Sequence, residues 1–413
     1  MVSGPRVVVT GVGLASPIGN DLDTVTAALQ EGRSGVVVKP EWAEVGHLET
    51  RLAGEVRDLE LTGYPRKKVR GMGRVALLGV YATEQALADA GLGHDEVSAP
   101  EVGLAYGSTH GSSSALIDFV TPLLENKSFR GIPSSSYLKF MSHTCAANLA
   151  QFYEIRGRVV PTPAACVSSS LAAGYGAEAI RSGAQEVMIC GGSEELHFIP
   201  AGVFDIMMAT SRRYNDRPDE SPRPFDVDRD GLVIGEGAAT LVLESLDHAR
   251  RRGATVYAEL VGFGTNCDGT HLTSPSAQGM AGAMELALRD AGIAAESLDY
   301  VNAHATATDV GDVVESQATA QVLGPSITAV PVSSTKGFTG HTLGACGTME
   351  AAFCLAMMRE GFLAPNRNLA AVDPRCAELN YITGDARPAK VSTVMSNSFA
   401  FGGINASLIF KAI

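Results

Sequence analysis

Two rhythms alternate along the chain. Short apolar runs rich in Val, Ile and Leu, bounded by glycine or polar residues, predict strands buried on both faces. They fall at Arg6–Thr10, Val102–Tyr106, Val187–Cys190, Ala239–Leu243, Val256–Gly262, Tyr300–Asn302, Val330–Ser333, Val391–Met395 and Ala406–Phe410. Between them, alanine-rich stretches predict helices over Val75–Ala90, Ser169–Ser182, Ala281–Ala291, Asp312–Leu323 and Thr348–Arg359. In the Ser169–Ser182 stretch small residues recur at helical spacing, which fits a helix packed closely on all sides. The alternation predicts an α/β architecture. A charged stretch at Leu246–Ala254, LDHARRRGA, marks a boundary between residues 1–250 and residues 251–413. Both halves read as strands, glycine-rich corners and helices, a hint of duplication. No low-complexity linker separates them, so they are expected to fuse into one body.

Composition narrows the field. With 413 residues, 45% hydrophobic and 19% charged, the chain is an ordinary globular one with room for more than one core. The 32 basic residues against 45 acidic ones give a net charge of −13, which argues against nucleic acid as a partner. Aromatics make up 6% with one Trp, so base or sugar stacking is not a main theme. No apolar run reaches the ~18 residues of a membrane span, and MVSGPRVVVTGVG lacks the apolar core of a secretory signal. Seven scattered cysteines without a CxxC pair favour a reduced cytoplasm over a disulfide framework or a zinc site.

Four segments carry chemistry. PTPAACVSSS, Pro161–Ser170, sets Cys166 at a strand-to-helix corner, where helix N–H groups and the positive dipole end favour a thiolate. NAHATATDVGDVVE, Asn302–Glu315, puts His304 at a strand end with Thr306 and Thr308 on a shared face, suited to a channel wall and an amide-bearing ligand. VSSTKGFTGHTLGACGTME, Val332–Glu350, places Lys336 and His341 on a small-residue corner ahead of a tightly packed helix. SNSFAFGGINA offers a Gly-Gly turn after Phe401 whose N–H groups can serve as an oxyanion hole. Gly11-Val-Gly13 suggests a dinucleotide fingerprint, but Ser16 replaces the third glycine and the matching acid is absent, so that reading is rejected.

Taken alone, Cys166 or either histidine is more economically read as a core residue. In this order, together with SPRPFD, DGLVIGEGA and YAELVGFG, the segments resemble the type II elongating β-ketoacyl-[acyl carrier protein] synthases over essentially the whole chain. The resemblance implies a thiolase-like fold in five alternating αβαβα layers, built from two pseudo-equivalent halves. It implies Cys166 as acyl-accepting nucleophile, with His304 and His341 stabilising the enolate formed when a malonyl thioester loses CO₂. The N–H groups of Cys166 and Phe401 would form the oxyanion hole, and Phe401 would gate the acyl pocket. Lys336 would order the histidines through hydrogen bonds, supported by Asp312, Glu315 and Glu350. Thr306 and Thr308 would meet the phosphopantetheine arm. No cofactor and no metal are called for. Acyl carrier protein is the implied partner, docking on cations among Arg66, Lys67, Lys68, Arg70, Arg74, Lys127, Arg130, Arg212 and Arg213. The implied assembly is a homodimer, or a heterodimer with a chain-length factor.

Several positions depart from that pattern. Ala305 and Ala400 replace usual glycines, Ile404 a usual threonine, and Cys346 a usual alanine. None removes a catalytic group, so they bear on chain-length preference. His110 stands where an apolar residue usually lies near the end of the acyl pocket, and is expected to bind substrate or else to bond across the dimer interface or to local Ser side chains. A chain-length factor would lack Cys166, a degradative thiolase would need a second cysteine near FGGINA, and an initiating type III synthase would have Asn in place of His341.

Overall fold

A computed structural model describes residues 4–413. Eleven strands form one sheet: β1 Val7–Ala15, β2 Val102–Gly107, β3 Val159–Pro161, β4 Val187–Glu194, β5 Gly237–Ser245, β6 Ala258–Cys267, β7 Tyr300–Asn302, β8 Pro331–Ser333, β9 Asn380–Tyr381, β10 Thr393–Ala400 and β11 Ile404–Lys411. Their order is β9-β8-β7-β10-β11-β6-β1-β5-β4-β2-β3. Read outward from the centre, β1-β5-β4-β2-β3 and β6-β11-β10-β7-β8 repeat one plan. In each, two antiparallel pairings are followed by two parallel ones. The two halves are thus pseudo-equivalent. They join along a short seam, where Val8 and Val9 of β1 pair with Glu259 and Ala258 of β6.

Six helices build the layers: α1 Arg74–Ala90, α2 Thr144–Tyr153, α3 Ser168–Arg181, α4 Ala277–Ala291, α5 Gly311–Leu323 and α6 Cys346–Glu360. Helix α1 packs on β1, β5 and β4, with α2 beside it, while α4 packs on β6 and β11, with α5 beside it. Helices α3 and α6 touch strands of both halves and each other, which completes the αβαβα sandwich. The sandwiched position explains their composition: α6 is buried without interruption from Cys346 to Met357. In α3, a Cβ on Gly174 would fall 2.3 Å from the Phe263 ring and one on Gly176 2.2 Å from the Cys190 sulfur.

Each half also presses its first strand onto its first long helix. A Cβ on Gly11 or Gly13 would lie 2.2 or 2.1 Å from the carbonyl oxygens of Ala86 and Ala82 on α1. On β6, Gly262 and Gly264 meet the carbonyls of Ala287 and Ala283 on α4 at 2.4 and 2.1 Å in the same way. The glycines around Val12 therefore serve strand–helix approach rather than a dinucleotide.

All nine expected strands and five expected helices are present. Helices over Leu22–Glu31, Ser113–Asn126, Thr144–Tyr153 and Phe198–Ile206 were not expected. Among the described residues, no helix is long and apolar enough to cross a membrane.

Candidate active site

Four corners of the two halves converge. The first follows β3. Ser168 Oγ accepts from Ala164 N at 2.9 Å and donates to Ala165 O at 2.6 Å, closing a tight corner one residue before α3. Ala165 is held at a φ of 48°, a left-handed conformation uncommon for a residue with a Cβ. Cys166 follows, buried, with its sulfur 3.0 Å from His341 Nε2.

His341 lies in the second corner, pinned between strand-like partners. Its N–H donates to Val233 O at 2.7 Å and its carbonyl accepts from Gly235 N at 2.8 Å. The DGLVIGEGA run thus supplies the rail that holds this histidine. His304 leaves the end of β7, and Glu315 on α5 accepts from His304 N and Ala305 N, each at 2.7 Å. The two imidazoles meet edge to face, with centroids 5.1 Å apart. The Cys166 sulfur and a nitrogen from each ring all lie within 4.8 Å of one another. The fourth corner is the β10–β11 turn, where Gly402 and Gly403 have φ of 93° and 69°. That turn brings the Phe401 N–H near enough to the Cys166 sulfur to pull the thiol's pKa down, as the N–H of Cys166 itself does. The Phe401 ring stacks on Phe204 at 5.4 Å and remains 38% exposed at the mouth.

Burial sets the protonation states. It pushes the Cys166 thiol up to about 12; the Lys336 charge and the two N–H groups oppose it without prevailing. The thiolate expected from the helix dipole is therefore not the resting form, because desolvation outweighs the dipole here. Burial also holds His304 and His341 well below the ordinary imidazole range, helped by the Lys336 cation, so both rings are neutral. Lys336 is itself buried. Desolvation would lower its pKa, but the ion pair with Glu350 outweighs that and keeps it charged.

The expected supporting network divides into three separate tasks. Lys336 Nζ bonds to Glu350 and to neither histidine, so it acts on the rings through its charge. Glu315 braces the backbone at His304. Asp312 serves a different place: it accepts from Phe225 N at 2.8 Å. Thr306 and Thr308 share a face, their hydroxyls 3.2 Å apart.

A cavity of about 460 Å³ opens over the cysteine, lined by Cys166, His304, His341, Thr306, Thr308 and Phe401 among others. His110 is not among its lining residues. Its N–H donates to Glu194 at 3.1 Å, and its Nδ1 is buried without a partner. Nothing in the sequence pattern points to Glu194. It also accepts from Thr109 N, Ser108 Oγ and Gly344 N, tying the end of β2 to the His341 corner. Arg229 was missed as well; only the family-defining text around it, SPRPFD and DGLVIGEGA, pointed there.

The layered fold and the Cys-His-His constellation define a condensing acyltransferase, and the chain belongs to the β-ketoacyl synthase family. The family's N-terminal domain, "Beta-ketoacyl synthase, N-terminal domain", matches residues 5–249, and its C-terminal domain matches residues 257–370. The chain is 39% identical to 3-oxoacyl-[acyl-carrier-protein] synthase 1 of Haemophilus influenzae over 98% of both chains. Among solved structures it is similar to a β-ketoacyl synthase from Burkholderia phymatum, with 50% identity, a TM-score of 0.95 and coverage of 99% of this chain and 100% of that one. It is also similar to the ishigamide ketosynthase/chain length factor, with 31% identity, a TM-score of 0.91 and coverage of 99% and 100%.

Proposed function

We propose that the protein is a β-ketoacyl-[acyl carrier protein] synthase that elongates fatty-acid or related acyl chains by two carbons. The observation that carries this reading is a buried thiol and two neutral imidazoles within 4.8 Å of one another, beneath two convergent backbone N–H groups. Cys166 takes the acyl group from its carrier thioester and releases the carrier thiol. His304 and His341 then donate to the carbonyl oxygen of the malonyl thioester. Loss of CO₂ leaves an enolate whose charge falls on that oxygen. The enolate carbon attacks the Cys166 thioester, the Cys166 and Phe401 N–H groups hold the tetrahedral oxyanion, and collapse expels the cysteine sulfur. Thr306 and Thr308 face the pantetheine arm, and Phe401 gates the acyl side.

Acyl carrier protein is the proposed partner, in keeping with the name of the H. influenzae relative. A second copy of the chain is the proposed assembly, because β3 leaves one sheet edge unpaired with Val159 exposed on it, and Leu124, Phe129 and Tyr137 are exposed as well. Likeness to the ishigamide ketosynthase/chain length factor supports a second reading, a polyene or polyketide synthase paired with a chain-length factor. The boundary between halves is placed at residues 250 and 251. A reducing cytoplasm suits the seven free cysteines.

The test is mass spectrometry of carrier-bound products after mixing acyl primers with malonyl carrier protein. A 3-oxoacyl product two carbons longer, with one CO₂ per turn, is expected. Transfer of the primer without chain growth would overturn the reading.

A further inference from the structure

The turn from Thr306 to Asp309 is built against its own backbone preference. Ala307 sits at a φ of 66°, in the left-handed region that costs a residue bearing a Cβ. Such a conformation persists only where the surroundings fix it, and here the buried Arg229 guanidinium does so, with the Asp312 carboxylate beside it. The Asp312 carboxylate accepts from Phe225 N at 2.8 Å, four residues before Arg229 in the chain. The Arg229 guanidinium donates through Nε to Thr308 O at 3.0 Å and through Nη2 to Asp309 O at 2.6 Å. Its remaining nitrogen, Nη1, is spent on Asp226 O at 2.9 Å and Asp373 Oδ2 at 2.6 Å, so the fork cannot swing. Arg229 and Asp312 are 3.9 Å apart, with side chains 1% and 0% exposed. Gly311 completes the fit, since a Cβ there would fall 2.5 Å from Thr308 Oγ1. The product of these contacts is a pair of threonine hydroxyls presented to the cavity.

We propose that Arg229, through its bonds to the Thr308 and Asp309 carbonyls, is a positioning residue for substrate binding, holding the Thr306–Asp309 turn in the shape that presents both hydroxyls to the amides of the pantetheine arm. The inference rests on the proposed synthase reading for the identity of the ligand. It gives a function to the Phe225–Asp230 segment, which otherwise only marks the family. A lysine cannot replace the fork, because one ammonium cannot reach both carbonyls in fixed geometry.

The experiment compares wild type with Arg229→Lys, reading KM for malonyl carrier protein, kcat, the dissociation constant of free pantetheine, and the rate of Cys166 alkylation by iodoacetamide. The lysine variant is expected to raise KM and the pantetheine dissociation constant about tenfold, the scale of losing a hydrogen bond to a charged group, while the alkylation rate is unchanged. Adding Ala307→Gly to that background relieves the strain and is expected to recover most of the binding, which a general loss of structure would not allow. Should Arg229→Lys fail to accumulate as folded protein, Asp373→Asn loosens the fork from behind and reads the same constants. Unchanged binding, or a loss that Ala307→Gly does not repair, would overturn the proposal. Wild-type protein that binds pantetheine without condensing would refute the synthase reading alone, since the clamp is still read by the dissociation constant.

Discussion

Cys166 rests as a thiol, and that sharpens what its replacement will do. Cys166→Ala removes the one sulfur that faces both N–H groups, so acyl-enzyme formation and condensation should both be lost. Cys166→Gln, which mimics the acylated state, should still decarboxylate malonyl carrier protein. An acyl label retained by the alanine variant would end the assignment. His304→Ala and His341→Ala should each slow decarboxylation by ~10²–10³, the usual effect of removing one donor at a developing oxyanion, while leaving some self-acylation. Condensation near the wild-type rate in both would rule out enolate stabilisation. The sign of the histidine shift gives a separate check. Burial lowers both pKa values below the ordinary 6.5, so each ring stays neutral as pH falls toward 6. The ¹⁵N shifts of the two rings should keep the neutral pattern from pH 8 to pH 6, whereas a change centred near 6.5 would mean that burial does not govern them. At this scale the sequence showed which residue types stand at corners, and Cys166, His304 and His341 do come together. It could not show partners. Lys336 reaches Glu350 rather than a histidine, and Asp312 turns to the Phe225 N–H, because such pairings depend on how helices α5 and α6 lie. The thiolate expectation failed because a dipole can be guessed from a helix start, but desolvation needs the packed structure.

Elements explain why two weakly similar halves share one plan. VTGVG and LVGFG each begin a half, and each places two glycines where a strand is pressed onto helix carbonyls. Gly13→Ala or Gly264→Ala would put a methyl 2.1 Å from the carbonyl of Ala82 or Ala283. Each should cost about 1–3 kcal/mol by overpacking, seen as a lower denaturant midpoint with kcat per folded molecule little changed. An equal midpoint would show that strand and helix have slack there. The apolar rhythm revealed these strands because they are buried on both faces, and it revealed α3 and α6 because only small side chains fit between the two halves of the sheet. It missed Ser113–Asn126 and Phe198–Ile206, whose exposed apolar residues blur any amphipathic stripe, and Pro122 inside the first of these reads as a breaker. The seam between β1 and β6 was also out of reach, since two residue pairs leave no periodic trace.

For the whole molecule, net charge and local charge point in different directions. A surface at −13 should repel an acidic carrier, so productive encounter needs a cationic area near the entrance. The structure thins the nine candidates. Arg74 is engaged by Glu236, Arg212 by Asp205, Arg213 by Asp230, and Lys68 lies near Glu154. Arg66, Lys67 and Arg70 on the short Arg66–Val69 helix and its end stay exposed without an acid partner among the described residues, as do Lys127 and Arg130. Cations that are already paired add little to long-range attraction, whereas free ones steer a partner until salt screens them beyond about 8 Å. Charge reversal at Lys67 and Arg70 together should therefore raise KM for malonyl carrier protein while leaving kcat nearly unaltered. The defect should shrink as ionic strength rises, because screening weakens attraction in the wild type more than it can in the variant. Reversing Arg212 should act differently: it breaks the pair with buried Asp205 and should lower the thermal midpoint at any salt concentration. A double reversal at Lys67 and Arg70 with KM unchanged at low salt would move the docking surface away from this helix.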